Sequence, residues 1–205
     1  MIGRFMAVAF GAPVSIETEL TRLRSGDLDA LTALVERYQN RLYRYLLRLV
    51  KQPGAAEDLF QQTWVRVMER IGTYDPQRNF EPWLFSVAHH LAIDYLRRYR
   101  PESLDDPLPT GQTREELLPA GEPSALDKLL SAERKGWLAE AMTELPVVYR
   151  EVLTLRFEEE MKLEEIAAVL VVPLSTVKTR LHRGLKGLRQ LLGKRFEMGS
   201  NYERA

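Results

Sequence analysis

Between Pro101 and Asp127 the chain is poorly suited to building a packed element. Pro101, Pro107, Pro109, Pro119 and Pro123 fix φ and remove backbone donors, Gly111 and Gly121 loosen what remains, and there is little apolar periodicity. Such a stretch reads as a linker, and it divides the 205 residues into two parts, each sized for one small domain with a modest core. The linker is also acidic, with Glu102, Asp105, Asp106, Glu115, Glu116, Glu122 and Asp127 against Arg114. About 25 residues of extended chain span up to roughly 80 Å, enough to let two domains sit on separated sites.

The second part contains a helix pair. Leu163 to Leu170 has helical apolar spacing, with small Ala167 and Ala168 where a second helix is expected to approach. Val171-Val172-Pro173 then stops it, because Pro173 cannot continue one helix but suits the first turn of the next. From Leu174 onward, Val177, Leu181, Leu185, Leu188 and Leu192 predict one buried stripe. The opposite face carries Ser175, Thr179, His182, Arg183 and Lys186, with Thr176, Lys178 and Arg180 on its flanks. No Asp or Glu occurs from Leu174 to Phe196. A merely solvated helix mixes both signs, so a face of one sign points to nucleic acid or an acidic partner. Two short helices at a tight turn, the second basic, are the pattern of a helix-turn-helix DNA reader.

Whole-chain charge is silent on this point, since 29 Lys and Arg balance 29 Asp and Glu; the charge is segregated rather than absent. The absence of cysteine excludes disulfides, thiolate catalysis and cysteine-ligated zinc. No paired carboxylates, nucleophile with its base, or phosphate-cradling glycine loop emerges, so the chain is not expected to be an enzyme or to hold a cofactor or metal. Glu158, Glu159 and Glu160 are expected in a solvated loop. The apolar run Met1 to Phe10 is too short to span a bilayer and is broken by Arg4, so direct membrane insertion is not expected.

In the first part Asp27 is placed to cap a helix whose buried face is Leu31, Leu34, Val35, Tyr38, Leu42, Tyr45, Leu46 and Leu49. Lys51-Gln52-Pro53-Gly54 ends it. A second helix, from about Ala55 to Ile71, turns Leu59, Thr63, Val67 and Ile71 inward and leaves Asp58, Gln61, Gln62, Val65 and Glu69 outward. A loop with two aromatics, Tyr74 and Phe80, leads to a third helix reaching Arg100. There Trp83, Phe85, Tyr95 and Tyr99 interleave with His89, His90, Arg97 and Arg98, a mixture suited to stacking on unpaired bases beside a phosphate strand. About half of these aromatics are expected in the core.

Taken together, these segments resemble the extracytoplasmic-function class of bacterial RNA polymerase sigma factors, in the sigma-70 family. The resemblance rests on Ala56 to Trp64, Tyr74-Asp75-Pro76, Phe80 to Phe85 and Leu91 to Arg98 in the first part. In the second it rests on Leu145-Pro146, Tyr149 to Leu153, Glu164 to Ala167 and Pro173 to Arg183. It implies an all-α protein of two small helical domains. Residues 16–100 correspond to a region 2 bundle and 127–195 to a region 4 helix-turn-helix, joined by the 101–126 linker, with tails at 1–15 and 196–205.

It further implies a cytoplasmic specificity subunit that binds core RNA polymerase, directs it to promoter DNA and is held in check by an anti-sigma factor, with no small-molecule substrate. By this resemblance Asp58, Gln61, Gln62 and Val65 grip the clamp helices of the largest polymerase subunit. Asn79, Phe80, Trp83, His89, His90, Arg97 and Arg98 engage the minus-10 element, and Ser175, Thr176, Lys178, Thr179, Arg180, His182, Arg183 and Lys186 the minus-35 box. Val171 stands where the family usually has Gly, and Lys162 where a Ser or Thr usually caps, which predicts a strained turn. Two rivals are a DNA-binding regulator that needs no polymerase and a helical adaptor for an acidic protein.

Overall fold

A computed structural model describes residues 15–99 and 136–202, with side chains up to 193. The expected linker and most of the N-terminal tail lie outside the described residues. Among those described, all regular structure is helical.

Helix α1, Ile16–Arg24, opens on Ser15, whose hydroxyl accepts from Thr18 N at 3.3 Å. Helix α2, Leu28–Val50, is capped by Asp27, whose carboxylate accepts from Asp29 N. Its predicted face is buried, with Leu31 and Val35 half-buried at the margin. It stops at Lys51 in the left-handed region, φ 59°. Helix α3, Pro53–Arg70, then begins two residues earlier than expected. Pro53, read as part of a terminator, takes the first helical position, where its missing N–H costs nothing. The 3-10 turn Ile71–Thr73 follows, and α4, Phe80–Tyr99, completes the first unit.

In the second unit residues 136–144 form α5, followed by α6, Val147–Leu153. A π-helical turn, Thr154–Glu158, extends α6 and turns the chain so that Glu158 and Glu159 face α2. Helices α7, Leu163–Leu170, and α8, Leu174–Tyr202, make the expected pair with the expected boundaries. The helix continues to Tyr202, past the expected start of a tail at 196.

Two local expectations need correction. The inward line of α8 runs through buried Val177 and Gly184 and half-buried Leu181, Leu188, Leu191 and Leu192, whereas Leu185 is exposed. The line drifts because 3.6 residues per turn carries it from 181 to 184, and because Gly184 lets α8 approach α6. A Cβ there would lie 3.2 Å from Leu153 Cδ1. Ala168 is likewise exposed, so close approach falls at Gly184 instead.

The two units share one apolar core, in which Tyr45, Phe85 and Ala92 of the first join Val147, Val152 and Ile166 of the second. This interface is unusually polar for its depth. Glu151 is 2% exposed, and its Oε1 accepts from Tyr45 Oη at 2.5 Å and lies 2.6 Å from His89 Nδ1. Arg150, 1% exposed, donates to Leu49 O across the interface and to Thr143 O and Leu145 O in its own unit. It thereby satisfies carbonyls left free at the ends of α2 and α5.

Of the acidic cluster expected in a solvated loop, Glu160 is exposed as expected, whereas Glu158 and Glu159 join this contact. Glu159 accepts from Arg41 Nε at 2.7 Å with its side chain 1% exposed, and Glu158 pairs with Arg48 at 2.9 Å. Three consecutive carboxylates have no helical or strand periodicity to announce burial. The partners of Glu158 and Glu159 on α2 are more than a hundred residues away.

Candidate nucleic-acid interface

Helix α8 presents its basic face to solvent. Ser175, Lys178, Thr179, His182 and Arg183 are exposed, while Thr176, Arg180 and Lys186 are half-buried along its edges. Among the described residues, none of Lys178, Arg180, His182, Arg183, Lys186 or Arg189 is ion-paired. The Thr179 hydroxyl donates to Ser175 O, tying one candidate reader to its own helix at 2.9 Å. A shallow cleft of about 280 Å³ runs between this face and Val148 and Tyr149 of α6. Such unneutralised cations attract a phosphate backbone, and their helical spacing suits a major groove.

The turn before α8 carries the expected strain. Val171 adopts φ 52° and ψ 47° and is 69% exposed, a left-handed conformation that a β-branched residue disfavours. Lys162 caps α7 without a side-chain acceptor. Instead Glu165 Oε2 accepts from Lys162 N at 2.9 Å, and Glu165 Oε1 accepts from Asn79 Nδ2 at 2.8 Å.

In the first unit the loop leading to α4 is built on aromatics. Phe80 is 4% exposed and lies 5.8 Å from Tyr38, 5.7 Å from Tyr74 and 5.7 Å from Trp83, ring centre to ring centre. Phe80 therefore forms the floor of the loop, and half-buried Trp83 offers the accessible ring. Burial raises the Tyr74 phenol, against the opposing charge of Arg24. Further along α4, His90 is exposed with Nδ1 2.6 Å from Ser86 O, and Arg97 and Arg98 are exposed. His89 points into the interface, its side chain only 12% exposed.

Two clefts lie where the units meet. One, of about 610 Å³, has Asn79, Gln77 and Tyr74 on one wall and Glu159, Glu160 and Glu165 on the other. The second, of about 680 Å³, sets His90 and Arg97 opposite Val172 and Arg180. In this arrangement the candidate minus-10 face and one edge of the recognition helix share a cleft. Asp58, Gln61, Gln62 and Val65 lie elsewhere, on the exposed side of α3, around a groove with Arg66, Glu69 and Leu91. Val65 and Met68 are exposed apolar residues there, at 56% and 44%.

Several side chains central to this arrangement had no assigned role in the sequence. Tyr45 counted only as core, Glu151 only as part of a motif, and Arg24 and Arg41 not at all. No local pattern marks them, because each acts through a partner distant in the chain.

A helical core, a helix-turn-helix with an unpaired basic face and an aromatic loop define a DNA-reading protein of two units. Comparison with known proteins gives the family. The profile of Sigma-70 region 2 matches residues 34–102 and that of Sigma-70, region 4 matches residues 135–188. The ECF RNA polymerase sigma factor SigW of Bacillus subtilis is 31% identical over 180 residues, covering 86% of this chain and 96% of SigW. Among solved structures, CnrH in complex with the cytosolic domain of CnrY has a TM-score of 0.62 at 24% identity, covering 87% of this chain and 97% of that one. The sigma factor RpoE of Bartonella quintana, in complex with the anti-sigma factor NepR, has a TM-score of 0.58 at 18% identity, covering 79% and 96%. The chain belongs to the ECF sigma factors of the sigma-70 family, proteins that direct transcription initiation and are not enzymes.

Proposed function

We propose that the protein binds core RNA polymerase through Asp58, Gln61, Gln62 and Val65 and carries it to promoters read at two boxes. The observation that carries this reading is the exposed, unneutralised basic face of α8 in the same chain as an aromatic loop and a separate exposed groove on α3. Lys178, Thr179, His182 and Arg183 face the minus-35 box, with Ser175, Thr176, Arg180 and Lys186 along the phosphates. On the minus-10 side, Trp83 stacks on an unpaired base above the Phe80 floor, Asn79 reads its edge, His89 and His90 read along α4, and Arg97 and Arg98 hold phosphates.

Reading both boxes requires the units to part, since Asn79 and His89 are bonded to the second unit in the closed form. The linker supplies the reach. An anti-sigma factor holds the protein inactive in the cytoplasm, a reading supported by the RpoE complex with NepR. No helix among the described residues is long and apolar enough to cross a membrane.

The test is run-off transcription from genomic fragments with purified bacterial core polymerase, with and without the protein. Defined transcripts that need the protein are expected. Absence of transcripts together with tight duplex binding in the absence of polymerase would overturn the reading in favour of a conventional regulator.

A further inference from the structure

Arg24 ends α1, a helix that precedes the residues matched by the region 2 profile. Its guanidinium reaches the far end of α3: Nε donates to Ile71 O at 3.2 Å, Nη2 donates to Tyr74 O, and the guanidinium carbon lies 5.5 Å from the centre of the Tyr74 ring. Those two carbonyls bracket the turn Ile71–Thr73. The planar fork of an arginine suits such a grip, which a lysine ammonium cannot reproduce.

The grip is passed on through the aromatic cluster. The Tyr74 ring lies 5.1 Å from Trp83 and 5.7 Å from Phe80, and its hydroxyl donates to Arg78 O. The other side-chain hydrogen bonds of residues 71–78 stay local: Thr73 Oγ1 donates to Arg70 O, and Gln77 N donates to Asp75 Oδ1. Among the described residues Arg24 is thus the long-range polar anchor of this segment within its own unit, and it lines the same cleft as Tyr74, Gln77 and Asn79.

We infer that Arg24 is a positioning residue for minus-10 recognition. It fixes where the Ile71–Asn79 segment leaves α3, and through Tyr74 it sets the Trp83 face at which one unpaired base is held. The inference rests on the function proposed above but concerns a residue outside the matched region.

The experiment selects single-stranded DNA, randomised over ten positions, on holoenzyme assembled with full-length wild type, Arg24→Ala or Arg24→Lys. Amide exchange is followed across residues 71–79 in the free proteins. Wild type is expected to enrich a motif. Arg24→Ala should lose roughly tenfold discrimination at the one position whose base edge Asn79 reads while keeping it at the others, Arg24→Lys should fall between, and exchange across 71–79 should rise without a matching fall in the global unfolding midpoint. Discrimination kept at every position, or lost equally at all of them, overturns the inference. So does unchanged exchange across 71–79 in Arg24→Ala, whatever the DNA result. A wild-type pool with no motif refutes instead the minus-10 reading on which the inference stands.

Discussion

Tyr45 of α2 and Glu151 of α6 stand 106 positions apart in the chain and meet in a 2.5 Å hydrogen bond, with neither more than 2% exposed. The bond ties the two units at the centre of their shared core. Tyr45→Phe keeps the edge contact with Phe85 at 5.1 Å but removes one donor from a buried carboxylate. That loss costs about 1.5–3 kcal/mol, charged on the closed form. The chain contains no cysteine, so labels at Glu57→Cys and Gln190→Cys can report the separation of the units by energy transfer. Tyr45→Phe should lower the transfer efficiency and the urea midpoint; unchanged values in both would show that the bond contributes nothing to closure.

Alkaline stability follows from the buried phenols. Burial pushes Tyr38 to about 12, and burial together with the Glu151 charge pushes Tyr45 well above its ordinary value of 10. A folded-state pKa above the unfolded one means stability that is whole below pH 10 and is lost as pH climbs through 12. Arg150, drawn down to about 10 by burial, acts in the opposite direction over the same range. A difference experiment isolates the tyrosine. Tyr38→Phe should raise the midpoint of alkaline unfolding, followed by tyrosinate absorbance and circular dichroism, while leaving stability near pH 7 little changed. An identical alkaline midpoint would contradict the burial of this phenol.

Legibility in the sequence tracked locality. The α7–α8 pair and the turn between them were readable because Pro173 and the apolar spacing are local signals, and the predicted strain at Val171 is present in its left-handed φ. Asp27 and the α2 face were equally plain. Helix α1 was missed, although Ser15 followed by Ile16, Leu20 and Leu23 has the spacing of a short capped helix. The closed contact was beyond reach for a different reason. Arg41, Tyr45, Glu151 and Glu159 look like ordinary surface or core residues until two distant segments are brought together. The α8 stripe was right except at Leu185, because the contact with Leu153 is made by Gly184, which carries no side chain to mark it.

Val171 offers a gain in stability. A β-branched residue in the left-handed region costs about 1–3 kcal/mol, whereas the extra unfolded-state freedom of glycine costs about 0.4–1 kcal/mol. The residue is 69% exposed, so little packing is lost. Val171→Gly should stabilise the protein by about 1 kcal/mol and raise Tm by roughly 2–4 °C. A fall in Tm on calorimetry would mean that the side chain has a packing role in closing the cleft beside His90.

The same substitution should have opposite signs at two glycines of α8. A Cβ on Gly184 would meet Leu153 at 3.2 Å and Tyr149 Cβ at 3.4 Å, and both residues are buried on α6. Overpacking of about 1–3 kcal/mol outweighs the helix propensity gained. Gly193 has nothing within 4 Å, so Gly193→Ala keeps the propensity gain of up to about 1 kcal/mol. Chemical denaturation should show Gly184→Ala destabilised and Gly193→Ala stabilised. A stabilised Gly184→Ala would mean that Leu153 yields and the helices are not in tight contact.

Arg183 and Arg180 differ in where α8 holds them, and that difference should separate base reading from phosphate holding. Arg183 is exposed on the face with Lys178 and Thr179, whereas Arg180 is half-buried beside Val172 and His90 at the edge of the cleft. An arginine in the groove that reads guanine contributes about 1–3 kcal/mol of discrimination, while one on the backbone lowers binding to all sequences alike. In holoenzyme on promoters varied through the minus-35 box, Arg183→Ala should flatten the preference at one base pair. Arg180→Ala should weaken every promoter by a similar factor and reduce the salt dependence by about one phosphate contact. If the two variants exchange these behaviours, α8 enters the groove rotated from the face described here; if neither changes promoter preference or salt dependence, the recognition surface lies elsewhere in the chain.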